Sequence, residues 1–251
     1  MQNYCKTIGA LAAASALVAG NAKAEVEYEL HTGYSSGYLY RGVLLGNDLA
    51  EAGADVKLQP VEGLNLNAGV WYGAFNGSNV VSQAFGGNNT NELDLYAGVS
   101  KDFGILTGSV GYVYRHYDLS SQVGTEDSQE IAFGISHDFG CVAASLTYYW
   151  GVSATEQLWG GNNGYTELAL SHSFELSPCL ALNVSTNLGY LQEQGVCTAW
   201  TTKVALDWGF AEHAKLSPFV AASLACSESA RSMWYTTDNQ LIGGAMLSVN
   251  F

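Results

Sequence analysis

The chain has 251 residues, of which 48% are hydrophobic and only 13% charged, with 23 Asp and Glu against 9 Lys and Arg. A water-soluble domain usually has about a quarter of its residues charged; nucleic-acid binding needs a cation surplus, and here the formal charge is -14. Beyond the N-terminus no apolar stretch approaches the roughly 18 to 20 residues of a membrane helix.

Residues 1–24 read as a secretory signal peptide: Lys6, an apolar run from Ile8 to Ala19, and Ala22-Lys23-Ala24 as a small-x-small cleavage site. The run is too short to anchor in a bilayer, and Cys5 precedes it, which excludes the acylated Cys of a lipoprotein. Cleavage leaves seven cations against 23 acids, a formal charge of -16. The mature chain, 25–251, is therefore expected in an exported, oxidising setting.

From Glu25 onward the hydrophobic period is two. Val26, Tyr28, Leu30, Thr32 and Tyr34 share one face, with Glu27, Glu29 and His31 on the other. Next, Ala50, Ala52, Ala54, Val56 and Leu58 alternate with Glu51, Asp55 and Lys57, and the last segment carries Leu241, Ala245, Leu247, Val249 and Phe251 on one face. Strands are predicted near 25–40, 50–59, 64–75, 91–100, 105–117, 128–136, 141–151, 164–174, 179–191, 197–210, 216–227 and 238–251. Short connections at 60–63, 101–104, 137–140, 175–178 and 211–215 alternate with polar ones at 76–90, 118–127, 152–163 and 228–237, with 192–196 a short exception on the long-loop side. Two short repeats, Asp102-Phe103-Gly104 echoed by Asp138-Phe139-Gly140, and Leu176-Ser177-Pro178 by Leu216-Ser217-Pro218, read as hairpin repeats of one domain.

The expected fold is all-β: a single transmembrane, antiparallel, up-and-down β-barrel of about twelve strands in the bacterial outer membrane, with short periplasmic turns and long outer loops. A Lys or Arg facing lipid at the midplane costs roughly 2 to 4 kcal/mol, and no Asp, Glu, Lys or Arg falls on the outward phase within the twelve strands. Asp48 and Lys101 share that phase just beyond strand ends. The opposite face carries Glu27, Glu29, Glu51, Asp55, Lys57, Glu92, Asp94, Arg115, Glu130, Glu167, Lys203 and Asp207, with Arg41 inward at the mouth. Such a face reads as a wet lumen. Tyr34, Tyr38, Tyr40, Tyr72, Tyr112, Tyr114, Tyr148 and Trp150 toward the long loops, and Phe174, Trp208, Phe210 and Phe251 toward the turns, read as interfacial girdles.

The terminal segment 243–251 resembles the C-terminal signature of bacterial outer-membrane barrels, an amphipathic strand closing on a Phe. The resemblance implies that Phe251 belongs to a signal read by the barrel-assembly machinery. Tyr38-x-x-Arg41-Gly42, within Gly33 to Gly42, and Glu92-Leu93-Asp94-Leu95-Tyr96-Ala97-Gly98-Val99 make the mature chain similar to the TorF-type porin family of Gram-negative bacteria. That likeness implies passage of small solutes without fixing which.

Nine lumen carboxylates against Lys57, Arg115 and Lys203 would favour cations in an aqueous path by electrostatic focusing. Alternatively the groups pair across the lumen and plug it, as in small barrels filled by side chains. The expected function is thus a porin-like channel for passive diffusion of small solutes, preferring cations, or else a non-conducting barrel that serves as a surface anchor or partner-binding element. No enzyme activity, cofactor or metal is expected. Gly33-Tyr34-Ser35-Ser36-Gly37 matches a nucleophile elbow but lacks its strand-turn-helix setting. His116, beside Asp118, Ser120 and Ser121, reads as an interfacial ring. Four cysteines remain in the mature chain; Cys197 and Cys226 end neighbouring strands but face opposite sides in a regular register, while Cys141 and Cys179 lie two strand spacings apart, so free thiols are the expectation.

Overall fold

The computed structural model describes residues 25–77, 89–119, 127–152, 164–226 and 239–251. The signal-peptide reading of 1–24, most of the long loops with their Gly/Asn tracts, and Ser120 and Ser121 lie outside the described residues. The strands are β1 (Glu25–Tyr40), β2 (Val43–Val61), β3 (Leu64–Gly77), β4 (Asn89–Asp102), β5 (Thr107–Leu119), β6 (Ser128–Asp138), β7 (Ala143–Gly151), β8 (Tyr165–Ser177), β9 (Leu180–Leu191), β10 (Val196–Ala211), β11 (Ala214–Ala225) and β12 (Gln240–Asn250). Each pairs antiparallel with its sequence neighbours, and β12 returns to β1, so the chain forms a closed twelve-strand barrel, with no helix among the described residues.

Register follows from the two faces. Glu27 lies opposite Lys57 and Glu29 opposite Asp55 on the lumen side, while Val26 meets Leu58 and Tyr28 meets Val56 outside. A one-residue slip would exchange the faces and drive charge into the apolar surface. Large apolar side chains such as Leu30, Leu168, Val204 and Val220 are exposed on the outward wall.

The last residue is a rung of the wall. The N–H of Phe251 donates to the carbonyl of Tyr28 at 2.9 Å, and the N–H of Tyr28 to that of Phe251 at 3.2 Å. At the inner end, the Asp-Phe-Gly repeat folds twice into the same turn. Asp102 Oδ1 accepts the N–H of Gly104 and Asp138 Oδ1 that of Gly140, each at 2.7 Å; short polar side chains that bond the backbone two residues on are what such turns need.

The largest boundary difference from the sequence expectation is at β2, which begins at Val43 and not at 50, so that segment 41–49 forms the tip of a continuous hairpin. With 16 and 19 residues, β1 and β2 overshoot the about 9 to 11 residues that cross a bilayer. The surplus leaves the wall: β1 pairs with β12 only as far as Ser35, and β2 loses register against β3 between Asn47 and Ala50.

Candidate functional site

The surplus hairpin folds into the barrel at its outer, long-loop end. Arg41 and Gly42 form a two-residue turn with φ of 52° and 82°, the positive pair of a type I′ hairpin. Asp48, with φ of 53°, marks the bulge that shifts the register of β2 against β3, whose pairing ends at Gly46 and Gly77. Local bonds bend β1 at the matching level, where Ser35 Oγ donates to the carbonyl of Gly37 at 2.7 Å. Val43, Leu45 and Leu49 of the returning strand are buried with Phe75, and Tyr38, Tyr40 and Trp71 pack against them. The apolar core of this molecule therefore sits inside the lumen, beneath the hairpin.

The tip is latched to the far wall. Arg41 donates from both terminal nitrogens to Glu130 on β6, at 2.8 and 2.9 Å, and its guanidinium lies 4.6 Å from the ring of Tyr149 and 4.4 Å from that of Tyr165. Planar, bidentate and stacked contacts are those an Arg makes and a Lys cannot. Arg115 Nη1 donates at 2.7 Å to Glu130 Oε2, the same oxygen that accepts from Arg41 Nη2, and its Nε lies 3.5 Å from Asp94. Tyr38 Oη donates to Glu92 at 3.2 Å, and Glu92 is fully buried. On a third side, Ser223 Oγ donates to the carbonyl of Gly42 at 2.9 Å. An αL conformation is uncommon for a residue with a side chain; at Arg41 the ion pair and the stacked rings hold it.

The predicted lumen residues thus fall into two groups. Arg41, Glu92, Asp94, Arg115 and Glu130 are gathered at the latch, with Glu167 beside it, where it accepts from Asn187 at 3.1 Å. The others line the lumen on the inner side of the hairpin. Trp71 Nε1 donates to Glu51 at 2.7 Å, Lys203 Nζ lies 4.3 Å from the Phe219 ring, and Tyr96 Oη donates to Asp55 at 2.6 Å with His31 3.3 Å away. Lys215 donates to Asp207 at 3.0 Å. A cavity of about 400 Å³ under the hairpin, bordered by Glu51, Asn187, Thr201 and Lys203, is followed inward by one of about 380 Å³ beside Glu29, His31 and Asp207, and another of about 380 Å³ beside Glu27, Asp55 and Lys57. Arg41, placed inward at the mouth by its parity, forms its ion pair with Glu130.

Residues 19–242 match the family described as "Bacterial protein of unknown function (Gcw_chp)". The chain belongs to the Gcw_chp family. Among solved structures, the Gcw_chp chain is similar to "KdgM porin", with a TM-score of 0.51 at 10% identity over 90% of this chain and 99% of that one. It is also similar to the COG4313 outer membrane channel from Pseudomonas putida F1, with a TM-score of 0.52 at 11% identity over 90% and 95% of the two chains. Both likenesses concern the fold, which is that of outer-membrane barrels. None of the curated proteins matches the Gcw_chp chain.

Two aromatic assignments are corrected in this Gcw_chp barrel. Tyr38 and Tyr40 are not girdle residues. The pairing of β1 with β2 shifts between Tyr38 and Leu39, and the hairpin turns both rings into the lumen, where Tyr38 stacks 5.5 Å from Trp71 and Tyr40 lies 4.9 Å from Arg41. Tyr34, Tyr72, Tyr112 and Trp150 do point outward. Tyr149 and Tyr165 had the inward parity in the sequence, but nothing there joined them to Arg41. The apolar Val43-Leu44-Leu45 directly after Arg41-Gly42 was the available signal, since a solvated loop has no use for it. His116 pairs with Asp127 at 2.7 Å, an aspartate the sequence did not bring to it. Among the described residues no group of three or more His, Cys, Asp or Glu is arranged to hold a metal ion.

Proposed function

We propose that this chain is an outer-membrane channel for passive diffusion of small solutes, narrowed at its outer end by the β1–β2 hairpin. The observation that carries the reading is a polar, carboxylate-rich lumen inside a wall whose outward face is apolar, which suits water within and lipid without. The TorF-type resemblance supports it, and both solved structures of similar fold bear the names of a porin or a channel. Glu27, Glu29, Glu51 and Asp55 line the inner lumen and would favour cations by focusing their field in a narrow path. At the latch, by contrast, two guanidinium groups offset the carboxylates, so selectivity is assigned to the inner lumen and gating to the hairpin. Selection by width and charge involves no catalytic cycle.

A second reading follows from the same hairpin. If it never leaves its seat, the barrel is a non-conducting element that anchors or binds a partner at the surface. Single-channel recording of the refolded protein in planar bilayers, under a salt gradient, separates the two. Cation-selective steps that grow when Arg41 is replaced support the gated channel. A folded barrel that stays silent with Arg41 intact and with Arg41→Ser overturns it in favour of the second reading.

A further inference from the structure

Cys197 and Cys226 stand at the outer ends of β10 and β11, where strict alternation would put one thiol in the lumen and the other outside. Strand β10 is not regular there. Its register against β9 shifts between Cys197 and Trp200, and Thr198 and Ala199 are both buried, 8% and 7% exposed. Thr198 Oγ1 would lie 2.4 Å from a Cβ added at the lumen-facing Gly189, so two successive side chains point inward, as a bulge allows. The extra residue turns Cys197 outward, opposite the exposed Tyr190. Cys226 is exposed two residues beyond the outward Leu224.

The N–H of Cys226 donates to the carbonyl of Thr198 at 3.1 Å, which leaves Cys197 one residue along from the direct cross-strand position. With strands about 4.8 Å apart and a rise of about 3.3 Å per residue, the diagonal is about 6 Å between Cα atoms, inside the roughly 4.4 to 6.8 Å that a disulfide spans. Both thiols are unlinked in this structure. Burial pushes the Cys226 thiol up, and the nearby Cys197 adds to the effect. Cys141 and Cys179, by contrast, sit exposed at separate inner turns.

We infer that Cys197 and Cys226 are a disulfide-forming pair that clasps β10 to β11 at the outer rim of the barrel. The inference rests on the outer-membrane reading for its oxidising surroundings, while the geometry stands by itself. One thiolate attacks a sulfur of a disulfide such as oxidised glutathione, giving a mixed disulfide and releasing one donor thiol; the second thiolate attacks that bond and releases the second donor thiol. The two cysteines thereby lose two electrons and two protons, and the donor takes up both. The clasp would fix the bulge that presents Ala199 to the hairpin tip, because a Cβ on Gly42 would lie 2.2 Å from that of Ala199.

The test uses the full mature barrel, refolded in detergent with its thiols reduced and its folding checked by heat-dependent gel migration. Oxidised glutathione is then added, free thiols are alkylated, and the unreduced digest is read by mass spectrometry. The expected result is one linked peptide pair joining Cys197 to Cys226, with Cys141 and Cys179 alkylated; Cys197→Ser and Cys226→Ser should each abolish the link and leave the remaining three thiols alkylated. Four alkylated thiols in the folded, oxidised protein, or a link through Cys141 or Cys179, would overturn the proposal. Conductance does not enter this readout, so a silent barrel with the linked pair removes the channel reading alone, and a conducting barrel without it removes the clasp alone.

Discussion

Arg41 and Glu130, 89 residues apart in sequence, meet as a bidentate ion pair across the barrel, with both side chains less than a tenth exposed. The pair joins the tip of the first hairpin to the sixth strand and so converts a surface turn into a bar across the lumen.

Arg41→Gln should release the bar. A charge-assisted contact contributes about 1.5 to 3 kcal/mol net, so if the bidentate pair counts as one such contact its loss should shift the open-to-closed ratio by roughly tenfold to a hundredfold. Single-channel dwell times measure this. Glu130→Gln should do likewise, and the double variant should add little, since the partners act as a unit. Simple additivity would mean that the pair does not hold the tip.

Glu130→Ala is expected to be much harsher. It leaves Arg41 and Arg115 buried together without their shared carboxylate, and stripping one partner from a buried pair costs about 3 to 5 kcal/mol. The midpoint of urea unfolding in detergent or lipid should fall clearly below that of Glu130→Gln.

A side chain at Gly42 should prevent docking without substituting any residue of the wall. Its Cβ would meet Ala199 at 2.2 Å and Ser223 at 3.0 Å, at a φ of 82°. Gly42→Val should give a folded barrel of raised conductance. Gly104→Ala is the control: it carries similar backbone strain at φ of 86°, but its Cβ meets nothing within 4 Å, so conductance should be unchanged.

The lipid reading of the outer wall predicts opposite tolerance on its two faces. Val220→Arg, on the exposed outward face of β11, should destabilise the barrel by roughly 2 to 4 kcal/mol in bilayers. Lys203→Met, on the lumen side of the neighbouring strand, should leave stability nearly unchanged. Equal folding yields for both in lipid vesicles would count against a lipid-facing wall.

Neutralising Glu27 and Glu29 tests the selectivity assigned to the inner lumen. Both lie away from the latch, so the double Gln variant should conduct, with its reversal potential in a salt gradient moved toward zero. An unchanged potential would place the filter elsewhere.

The closed barrel was legible in the sequence because its signal is redundant. Every strand repeats the same choice of apolar outside and polar inside, and Phe251 falls on that pattern as the final rung. The hairpin was not legible, because it departs from that rule. Positive φ at Arg41, Gly42 and Asp48 and a shifted pairing at Tyr38 break the alternation, and a parity count carried through Tyr38 and Tyr40 puts them on the wrong side. The contacts that decide the latch join the β1–β2 turn to β6, β7 and β8, and period-two patterning has no information about which inward residues face each other across a lumen. The outward turn of Cys197 was missed for the same reason, one unpaired residue in β10.

The hairpin tip pairs only with itself: beyond Ser35 on β1 and Gly46 on β2 it shares no ladder with either neighbouring strand. Its withdrawal therefore breaks no backbone hydrogen bond of the cylinder that seals against lipid. The bar and the wall thus belong to separate parts of one continuous β-ribbon, so in the channel proposed above the passage would open while the cylinder keeps its circumference and tilt.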